Sequence, residues 1–349
     1  MRVAVVGATG NVGTSLLRAL EHEAAVDTVV GIARRRPELT LPKVEWAEAD
    51  VVHDDLVPLL AGAEVVVHLA WLIQPSRDRA LLRRVNVDGS TRVFRAVAEA
   101  RVPALVHASS IGAYSPGPKN HAVDESWPTN GVRTNDYSQQ KVEVERRLDR
   151  FEAEHPQVRV VRLRPALIFK RESATEQRRL FAGPFVPGSL LRPGLIPFMP
   201  AIPGLSFQAV HSYDIGDAYR LAAVGDVRGA FNIAAPPILD TTSIARQLRA
   251  RTFGLSARAA RGLASVAYHA RLTPLPADWL DMGLAAPLLD TTRAREELGW
   301  TPRHSGEEAI ADLLGGLRDA AGLDTPPLAP RTSGIGRIRE LATGIGKRP

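Results

Sequence analysis

Tyr137 and Lys141 stand four residues apart near the middle of the chain. On an α-helix this spacing places two side chains on one face, and the surrounding pattern predicts a helix over residues 137–154 that is capped by Asn135 or Asp136. An ammonium beside a phenol favours the phenolate and lowers the phenol pKa from its usual value of about 10. Tyr137 is therefore predicted to exchange a proton with a carbonyl or alcohol oxygen.

A pair of serines precedes this helix and supplies a second polar group. Ser109 and Ser110 follow the apolar run 105–108, which predicts a strand. Open α/β sheets bind their ligands at the carboxyl ends of the strands, so a serine hydroxyl in this place can hydrogen-bond a reacting oxygen. A tyrosine and a lysine at this spacing often occur by chance, and the preceding serines are what favour a catalytic role.

A glycine-rich loop begins at residue 7. It reads Gly7-Ala8-Thr9-Gly10-Asn11-Val12-Gly13 and joins the first apolar run to the first amphipathic segment. Glycines at this spacing let the backbone turn tightly and approach a pyrophosphate, whose charge then lies at a helix N-terminus. The loop therefore predicts a dinucleotide site, with contacts from Gly7, Thr9, Gly10, Asn11, Val12 and Gly13.

The end of the second predicted strand bears on which dinucleotide binds. A site that prefers NAD offers an aspartate or glutamate there to the ribose hydroxyls. This chain has Arg34 and Arg35 instead, and guanidinium groups suit a 2′-phosphate. These residues favour NADP over NAD, and a solvated loop is the alternative interpretation.

Short apolar runs alternate with helix-period segments along the first half of the chain. Strands are predicted at residues 3–6, 26–33, 44–48, 64–70, 105–108 and 158–163, and helices at 11–23, 77–100 and 137–154. Apolar strands that alternate with helices indicate a parallel sheet covered on both faces. We therefore predict an α/β fold with a doubly wound parallel sheet of the Rossmann type and a smaller C-terminal substrate-binding portion.

The pattern loosens after residue 165. Residues 171–207 are rich in proline and glycine, and a connection of that length is usually a lid or a binding segment. We predict a dinucleotide-binding core at 1–165 and a mainly substrate-binding portion at 166–325, some segments of which return to the core. A basic, flexible tail is predicted at 326–349.

Composition and charge exclude several classes of protein. The 349 residues are 45% hydrophobic and 23% charged, as in a folded globular chain, and the absence of cysteine excludes disulfides and thiolate zinc sites. The histidines lack metal-ligand spacing, so no metal is expected. No apolar segment is long enough to span a membrane, and we expect a cytoplasmic protein.

The formal charge of +6 is not spread evenly along the chain. Residues 241–271 carry six arginines and no acidic residue. A general nucleic-acid-binding surface is therefore not expected. The arginine-rich region is either a solvated surface or a contact for an anionic membrane or a substrate phosphate.

The glycine loop, Ser110, Tyr137 and Lys141 occur in the order typical of one family. On these residues the chain resembles the extended, NAD-dependent epimerase/dehydratase-like branch of the short-chain dehydrogenase/reductase superfamily, over about residues 1–320. Further segments that fit the same branch are residues 49–51, 68–70, 86–91, 164–165, 210–215 and 298–302.

The resemblance implies hydride transfer at nicotinamide C4 of a bound dinucleotide. It makes Tyr137 the acid/base, Lys141 the group that holds the nicotinamide ribose and tunes Tyr137, and Ser110 the group that orients the substrate oxygen. It also implies a homodimer. The further cofactor contacts that it implies are Asp50, Val51, Leu69, Ala70, Asn86 and Pro165.

Two departures from the family pattern narrow the substrate. Ile111 and Gly112 follow Ser110 where sugar dehydratases of this branch carry an aspartate and a glutamate, so water elimination is not expected. Residues 164–170 lack an asparagine that is frequent in nucleotide-sugar epimerases, and Lys170 stands where a glycine is common. The segment looks more like relatives that act on steroid-, flavonoid- or terpenoid-like molecules.

Three functions remain open at this point. The leading hypothesis is an NADP(H)-dependent oxidoreductase that interconverts a hydroxyl and a ketone on a small, fairly apolar metabolite. The second is an NAD-dependent nucleotide-sugar epimerase, in which the bound cofactor takes and returns the hydride. The third is a non-catalytic protein that senses a dinucleotide.

Overall fold

A seven-stranded sheet lies at the centre of the computed structural model, which describes residues 1–73, 78–179 and 192–330. The strands of the protein are β1 (Arg2–Val6), β2 (Thr28–Ala33), β3 (Val44–Glu48), β4 (Val65–His68), β5 (Ala104–Ala108), β6 (Ala122–Val123), β7 (Arg159–Pro165), β8 (Leu167–Phe169), β9 (Phe198–Ala201), β10 (Ser206–His211), β11 (Gly229–Ile233), β12 (Ala235–Asp240), β13 (Arg251–Gly254) and β14 (Leu288–Leu289).

Helices connect most of these strands. They are α1 (Asn11–Glu21), α2 (Val57–Leu60), α3 (Arg79–Arg83), α4 (Gly89–Glu99), α5 (Asp136–Glu154), α6 (Ala174–Gln177), α7 (Ser212–Val224), α8 (Thr241–Leu248), α9 (Ala257–His269), α10 (Asp278–Ala285), α11 (Thr292–Glu296) and α12 (Gly306–Asp319).

The central sheet has the order β11-β7-β5-β4-β1-β2-β3, and all of its strand pairs are parallel. The predicted doubly wound parallel sheet is therefore confirmed. All six predicted strands are present, and β11 is a seventh that the sequence analysis did not assign. It joins the sheet from the C-terminal half of the chain, where it pairs with β7.

Both faces of the sheet are buried except at the edge strand β3, which explains why most of its strands read as continuous apolar runs. On one face α1 and α7 pack together, with Leu16 and Ile215 in the same core. On the other face α4 and α5 contribute Phe94 and Leu148. The helix-period patterns near residues 11–23 and 137–154 thus mark the sides of α1 and α5 that cover the sheet.

The helix predicted over residues 77–100 consists of two α-helices. A π-helical turn, Arg84–Asp88, separates α3 from α4 and inserts extra residues into the helical path. Such turns are frequent at functional sites because they redirect side chains. Here the turn carries Asn86, which is buried.

The C-terminal half contributes small sheets as well as β11. Strands β12, β10 and β8 form a three-stranded sheet against which α12 packs, and β13 pairs with β9. Of the predicted binding segment at 171–207, residues 180–191 lie outside the described residues. The predicted division of the chain at residue 165 stays a prediction.

The predicted tail begins with residues that are packed. Arg179 donates a hydrogen bond to the Pro327 carbonyl (3.1 Å), and Leu328 is fully buried. Just before the tail, Thr325 donates to the Thr9 carbonyl (2.9 Å). Residues 331–349 lie outside the described residues. Within the parts of the chain that the structure describes, no helix has both the length and the apolarity that a membrane crossing requires.

Candidate active site

Helix α5 begins at the carboxyl edge of the central sheet. Asn135 is its cap, as one of the two predicted candidates, and accepts a hydrogen bond from the Ser138 amide (2.8 Å). The Ser138 hydroxyl donates to the Gly112 carbonyl (2.6 Å). These bonds tie the first turn of α5 to the turn that follows Ser110, so that Tyr137 and Ser110 are brought together.

Tyr137 lies among aromatic side chains. Its ring centroid is 5.9 Å from that of Trp71, in an edge-to-face arrangement, and 5.3 Å from that of Trp279. Burial raises the pKa of Tyr137 to about 12, and the nearby Ser110 hydroxyl offsets only part of this effect. The lowered phenol pKa that the spacing predicted is therefore wrong for this structure, because burial dominates and the Lys141 ammonium is turned away from the phenol.

Lys141 lies on the same face of α5, one turn beyond Tyr137. Its ammonium donates to the Ala108 carbonyl (2.7 Å) and lies 3.4 Å from the ring centroid of Trp71, but 5.9 Å from the ring centroid of Tyr137. Burial lowers the pKa of Lys141 to about 7, and the carboxylate of Glu145 works against that shift. The structure thus brings Ser110, Tyr137 and Lys141 together, with the lysine turned toward the strand end.

The depressed pKa of Lys141 predicts a dependence of stability on pH. Above pH 7 the folded state releases this proton while the unfolded state, with its ordinary lysine pKa, keeps it, so stability rises with pH. Between pH 7 and 9 we expect the free energy of unfolding to rise by about 2 kcal/mol on account of this residue. Urea denaturation of the cofactor-free protein and of Lys141→Met at pH 7, 8 and 9 measures the difference, and equal slopes would contradict it.

Glu145 continues the face of α5 that carries Tyr137 and Lys141, and it is buried. It accepts two hydrogen bonds from Arg164, from Nε (2.9 Å) and Nη2 (2.6 Å), and one from the Ser109 hydroxyl. Arg164 also donates to the Tyr114 hydroxyl (3.0 Å). This network joins α5 to the ends of β5 and β7, and sequence reasoning missed it although the spacing of four residues was visible.

The glycine loop packs against neighbouring backbone more closely than a side chain would allow. A Cβ at Gly7 would come within 2.6 Å of the Ala70 amide nitrogen, and one at Gly13 within 2.5 Å of the Ala8 carbonyl. Gly10 is the N-cap of α1 and offers the first-turn amides no side-chain acceptor. These amides fit an anionic pyrophosphate, and the residues predicted for the site lie around them.

Lys170 lies beneath the first turn of α1. Its ammonium donates to the Asn11 carbonyl (3.0 Å) and to the hydroxyls of Thr14 (2.7 Å) and Ser15 (3.0 Å), and its side chain is fully buried. Burial lowers its pKa to about 8. A cation at a helix N-terminus is opposed by the helix dipole, and an anion bound there would relieve that opposition.

Four residues are predicted to contact the adenosine part of the cofactor, and their side chains differ in solvent exposure. Arg34 and Arg35 follow β2 and are exposed. Asp50 accepts a hydrogen bond from the Val52 amide (2.8 Å), and this bond stabilises the turn that contains both residues. Val51 is buried.

The remaining predicted cofactor contacts are Asn86, Leu69, Ala70 and Pro165. Both ends of the Asn86 amide bind the Leu72 backbone (2.7 and 3.0 Å), and its nitrogen also donates to Gln140 (2.8 Å). Leu69 and Ala70 follow β4 beside the glycine loop, and Pro165 ends β7 opposite Ile233. Asn86 therefore positions the segment after β4, and a direct cofactor contact from it stays a prediction.

A cleft of about 160 Å³ opens beside Tyr137. Its apolar walls come from the segment after β4, from α3 and from the region of α9 and α10, and its polar groups include the pair Arg79 and Asp136 (2.8 Å). The residues that line it are Leu72, Ile73, Arg79, Leu82, Asn86, Asn135, Asp136, Tyr137, Gln140, Tyr268, Pro276, Asp278 and Trp279.

The histidines do not gather into a metal centre. Among the described residues no three or more His, Cys, Asp or Glu side chains are arranged to hold a metal ion. His68 and His107 are register neighbours in the sheet, and both are buried. Burial lowers the pKa of His68 to about 3 and that of His107 well below its ordinary value, so both are neutral.

Sequence comparison assigns this fold to a known family. A model described as the NAD dependent epimerase/dehydratase family matches residues 3–182. Because the match covers more than half of the chain, the chain belongs to this family.

Individual relatives are more distant. An uncharacterized protein of Mycobacterium tuberculosis is 28% identical over 326 residues, which cover 93% of this chain but 31% of that protein, so the chain spans less than a third of that relative. A decarboxylating sterol-4-alpha-carboxylate 3-dehydrogenase of Candida albicans is 25% identical over 255 residues, 69% of this chain and 66% of that protein.

Solved structures share the fold at low identity. The UDP-glucose 4-epimerase of Thermus thermophilus in complex with NAD has a TM-score of 0.67 and 19% identity, and the match covers 92% of this chain and 100% of that chain. This similarity concerns the fold alone.

Proposed function

We propose that the protein is an NADP(H)-dependent oxidoreductase that interconverts a hydroxyl and a ketone on a small, fairly apolar metabolite. The observation that carries the proposal is the position of Tyr137, which lies beside Ser110 and faces a cleft with aromatic and aliphatic walls. A bound nicotinamide would supply or accept the hydride.

The chain's own residues would handle the proton and the substrate oxygen. In the reductive direction the Tyr137 hydroxyl donates a proton to the ketone oxygen and becomes a phenolate. In the oxidative direction the phenolate takes the proton of the alcohol and becomes the hydroxyl again. The Ser110 hydroxyl orients the same oxygen. With a pKa near 12, Tyr137 holds its proton at neutral pH and is ready to act as the acid.

The charge of the cleft favours an uncharged substrate over a nucleotide sugar. A nucleotide sugar carries a diphosphate, which needs cationic partners. Among the described lining residues Arg79 is the one cation, and it is paired with Asp136 while Asp278 adds a second carboxylate. Leu72, Trp279 and other apolar lining residues instead suit a hydrocarbon ring or chain.

A substrate panel tests the reaction class. Apolar secondary alcohols and ketones, including sterols and terpenoids, are each assayed for stoichiometric change in nicotinamide absorbance, with nucleotide sugars alongside. Net NADPH oxidation on apolar ketones is the expected result. If NADPH binds but no compound supports turnover, the chemistry proposed here fails for that panel and a dinucleotide-sensing role gains support.

A nucleotide-sugar epimerase is the second candidate, because the family and an NAD-bound epimerase of the same fold point to it. In that case NAD would copurify with the protein. Interconversion of two epimers without net change in the cofactor would then replace stoichiometric oxidation in the same panel.

The choice of NADP rests on the exposed arginines after β2. Arg34→Ala is expected to raise the Kd for NADPH by about tenfold or more, because a charged hydrogen bond to a 2′-phosphate contributes about 1.5–3 kcal/mol. The Kd for NADH should change by less than about twofold, since NADH lacks that phosphate. Fluorescence titration measures both constants.

Arg36→Ala is the matched control, because Arg36 is equally exposed two residues away and is assigned no contact. It should leave both dissociation constants unchanged. An equal loss of NADPH and NADH affinity in Arg34→Ala would overturn the preference for NADP.

A further inference from the structure

Helix α9 is covered by the rest of the protein along only a narrow strip. Of its 13 residues, Ala260 is the one that is buried. Small and aliphatic side chains occupy an exposed stripe at positions 259, 263, 266 and 270, a spacing that lies on one helical face. Leu263 and Val266 in this stripe are 62% and 67% exposed.

The apolar surface continues past the end of the helix. Leu272 is 57% exposed, and its amide donates to the Ala267 carbonyl (2.8 Å), which folds the following turn back onto α9. We call Leu263, Val266 and Leu272 the α9 patch. Three large aliphatic side chains are thus exposed within ten residues of the chain, which is unusual for a surface that contacts only water.

Arginines flank the α9 patch. Arg258 precedes it and Arg271 lies within it, and both are exposed. Arg261 is paired with Asp281 (2.8 Å). Arg258 and Arg271 have no acidic partner among the described residues, and the chain carries no acidic residue between positions 241 and 277. The surface of the helix therefore combines exposed aliphatic groups with two unpaired guanidinium groups.

We propose that α9 docks this protein on the surface of an anionic lipid bilayer. Aliphatic residues on a helical face enter the boundary between headgroups and acyl chains, and neighbouring arginines bind the lipid phosphates. A protein partner fits less well, because the α9 patch offers no tryptophan or tyrosine side chain of the kind that anchors protein interfaces.

The orientation of α9 connects this surface with the cleft. Tyr268 on the same helix lines the cleft beside Tyr137, while Leu263 and Val266 are exposed. Tyr268 lies on the side of α9 opposite Leu263 and Val266, so docking through the α9 patch places the cleft behind the helix, roughly 10 Å from the bilayer surface. The docking itself does not depend on the reaction proposed above.

Vesicle sedimentation with the full chain tests the proposal. The probes are vesicles of phosphatidylcholine alone and of phosphatidylcholine with phosphatidylglycerol. We expect binding to the anionic vesicles, with little binding to the neutral ones. Leu263→Ser/Val266→Ser and Arg258→Gln/Arg271→Gln should each weaken the binding by about tenfold or more.

Ile238→Ser is the matched control, because Ile238 is 53% exposed on β12, away from α9 in the chain. It should bind anionic vesicles like the wild type, and thermal denaturation checks that every variant is folded. Absence of binding to anionic vesicles, or unchanged binding by the folded α9 variants, would overturn the proposal. A dimer that dissociates in Leu263→Ser/Val266→Ser without vesicle binding would assign the patch to a second copy instead.

Discussion

Tyr137→Phe is expected to lower kcat/KM by about 10²–10⁴-fold, the contribution of a positioned acid/base. The substitution removes one hydroxyl and keeps the ring that packs against Trp71 and Trp279. The dissociation constant for NADPH should therefore stay within roughly twofold of the wild-type value, because the loss falls on the transition state rather than on binding. Steady-state kinetics on any substrate found in the panel, together with NADPH titration, measures the two quantities.

Tyr213→Phe is the control for this experiment. Tyr213 lies at the start of α7, and its hydroxyl donates to Glu172 (2.8 Å). The substitution therefore removes a tyrosine hydroxyl outside the proposed active site. Its kcat/KM should match that of the wild type. If Tyr137→Phe retained more than about a tenth of wild-type kcat/KM, the acid/base role of Tyr137 would be refuted.

Glu145→Gln is expected to lower the free energy of unfolding by about 3–5 kcal/mol, the cost of leaving a buried ion-pair partner uncompensated. Although burial by itself raises the pKa of Glu145, hydrogen bonds and charges from Arg164 and Arg162 hold that pKa below its ordinary value. The carboxylate is thus charged in the folded protein. The amide would leave the buried Arg164 guanidinium without its counter-charge.

Glu143→Gln, on the same helix, is the matched control. Glu143 pairs with Arg83 (2.5 Å) and Arg147 (2.8 Å) at the surface, where ion pairs contribute at most about 1 kcal/mol. Urea denaturation of the two variants at pH 7 compares them directly. Similar small losses for both would mean that the buried network does not stabilise the fold.

Glu145 also influences the pH at which Lys141 titrates. The two side chains are one helical turn apart, and the Glu145 carboxylate raises the pKa of Lys141 against the effect of burial. Neutralising Glu145 should therefore lower the pKa of Lys141 further. In Glu145→Gln, the rise of stability with pH should begin at a lower pH than in the wild type.

Much of the site could be predicted because its signals are local. The glycine loop is read from seven consecutive residues, and the tyrosine–lysine spacing needs only the assumption of a helix. The cap at Asn135 likewise depends on neighbouring residues. Such signals survive without tertiary information because backbone geometry alone brings these groups together.

The surroundings of Tyr137 could not be predicted in the same way. Trp71 follows β4 and Trp279 belongs to α10, which the sequence analysis did not assign, so their packing on Tyr137 depends on the three-dimensional path of the chain. The same holds for Lys170, because its ammonium donates hydrogen bonds to Thr14 and Ser15, which are far from it in the sequence. The sequence showed that a lysine replaces the usual glycine at position 170, but it did not show which buried groups the lysine contacts.

Sequence alone therefore determined the fold class and the family, and it nominated the proposed catalytic set Ser110, Tyr137 and Lys141, since each follows from periodicity or from short spacings. Tertiary structure alone decided how these groups ionise. Burial depends on every segment packed around a side chain, and it raises the pKa of Tyr137 to about 12 while it lowers that of Lys141 to about 7. The sequence also shows the surplus of arginines at residues 241–271. Only the tertiary structure shows that α9 exposes Leu263 and Val266 near these arginines.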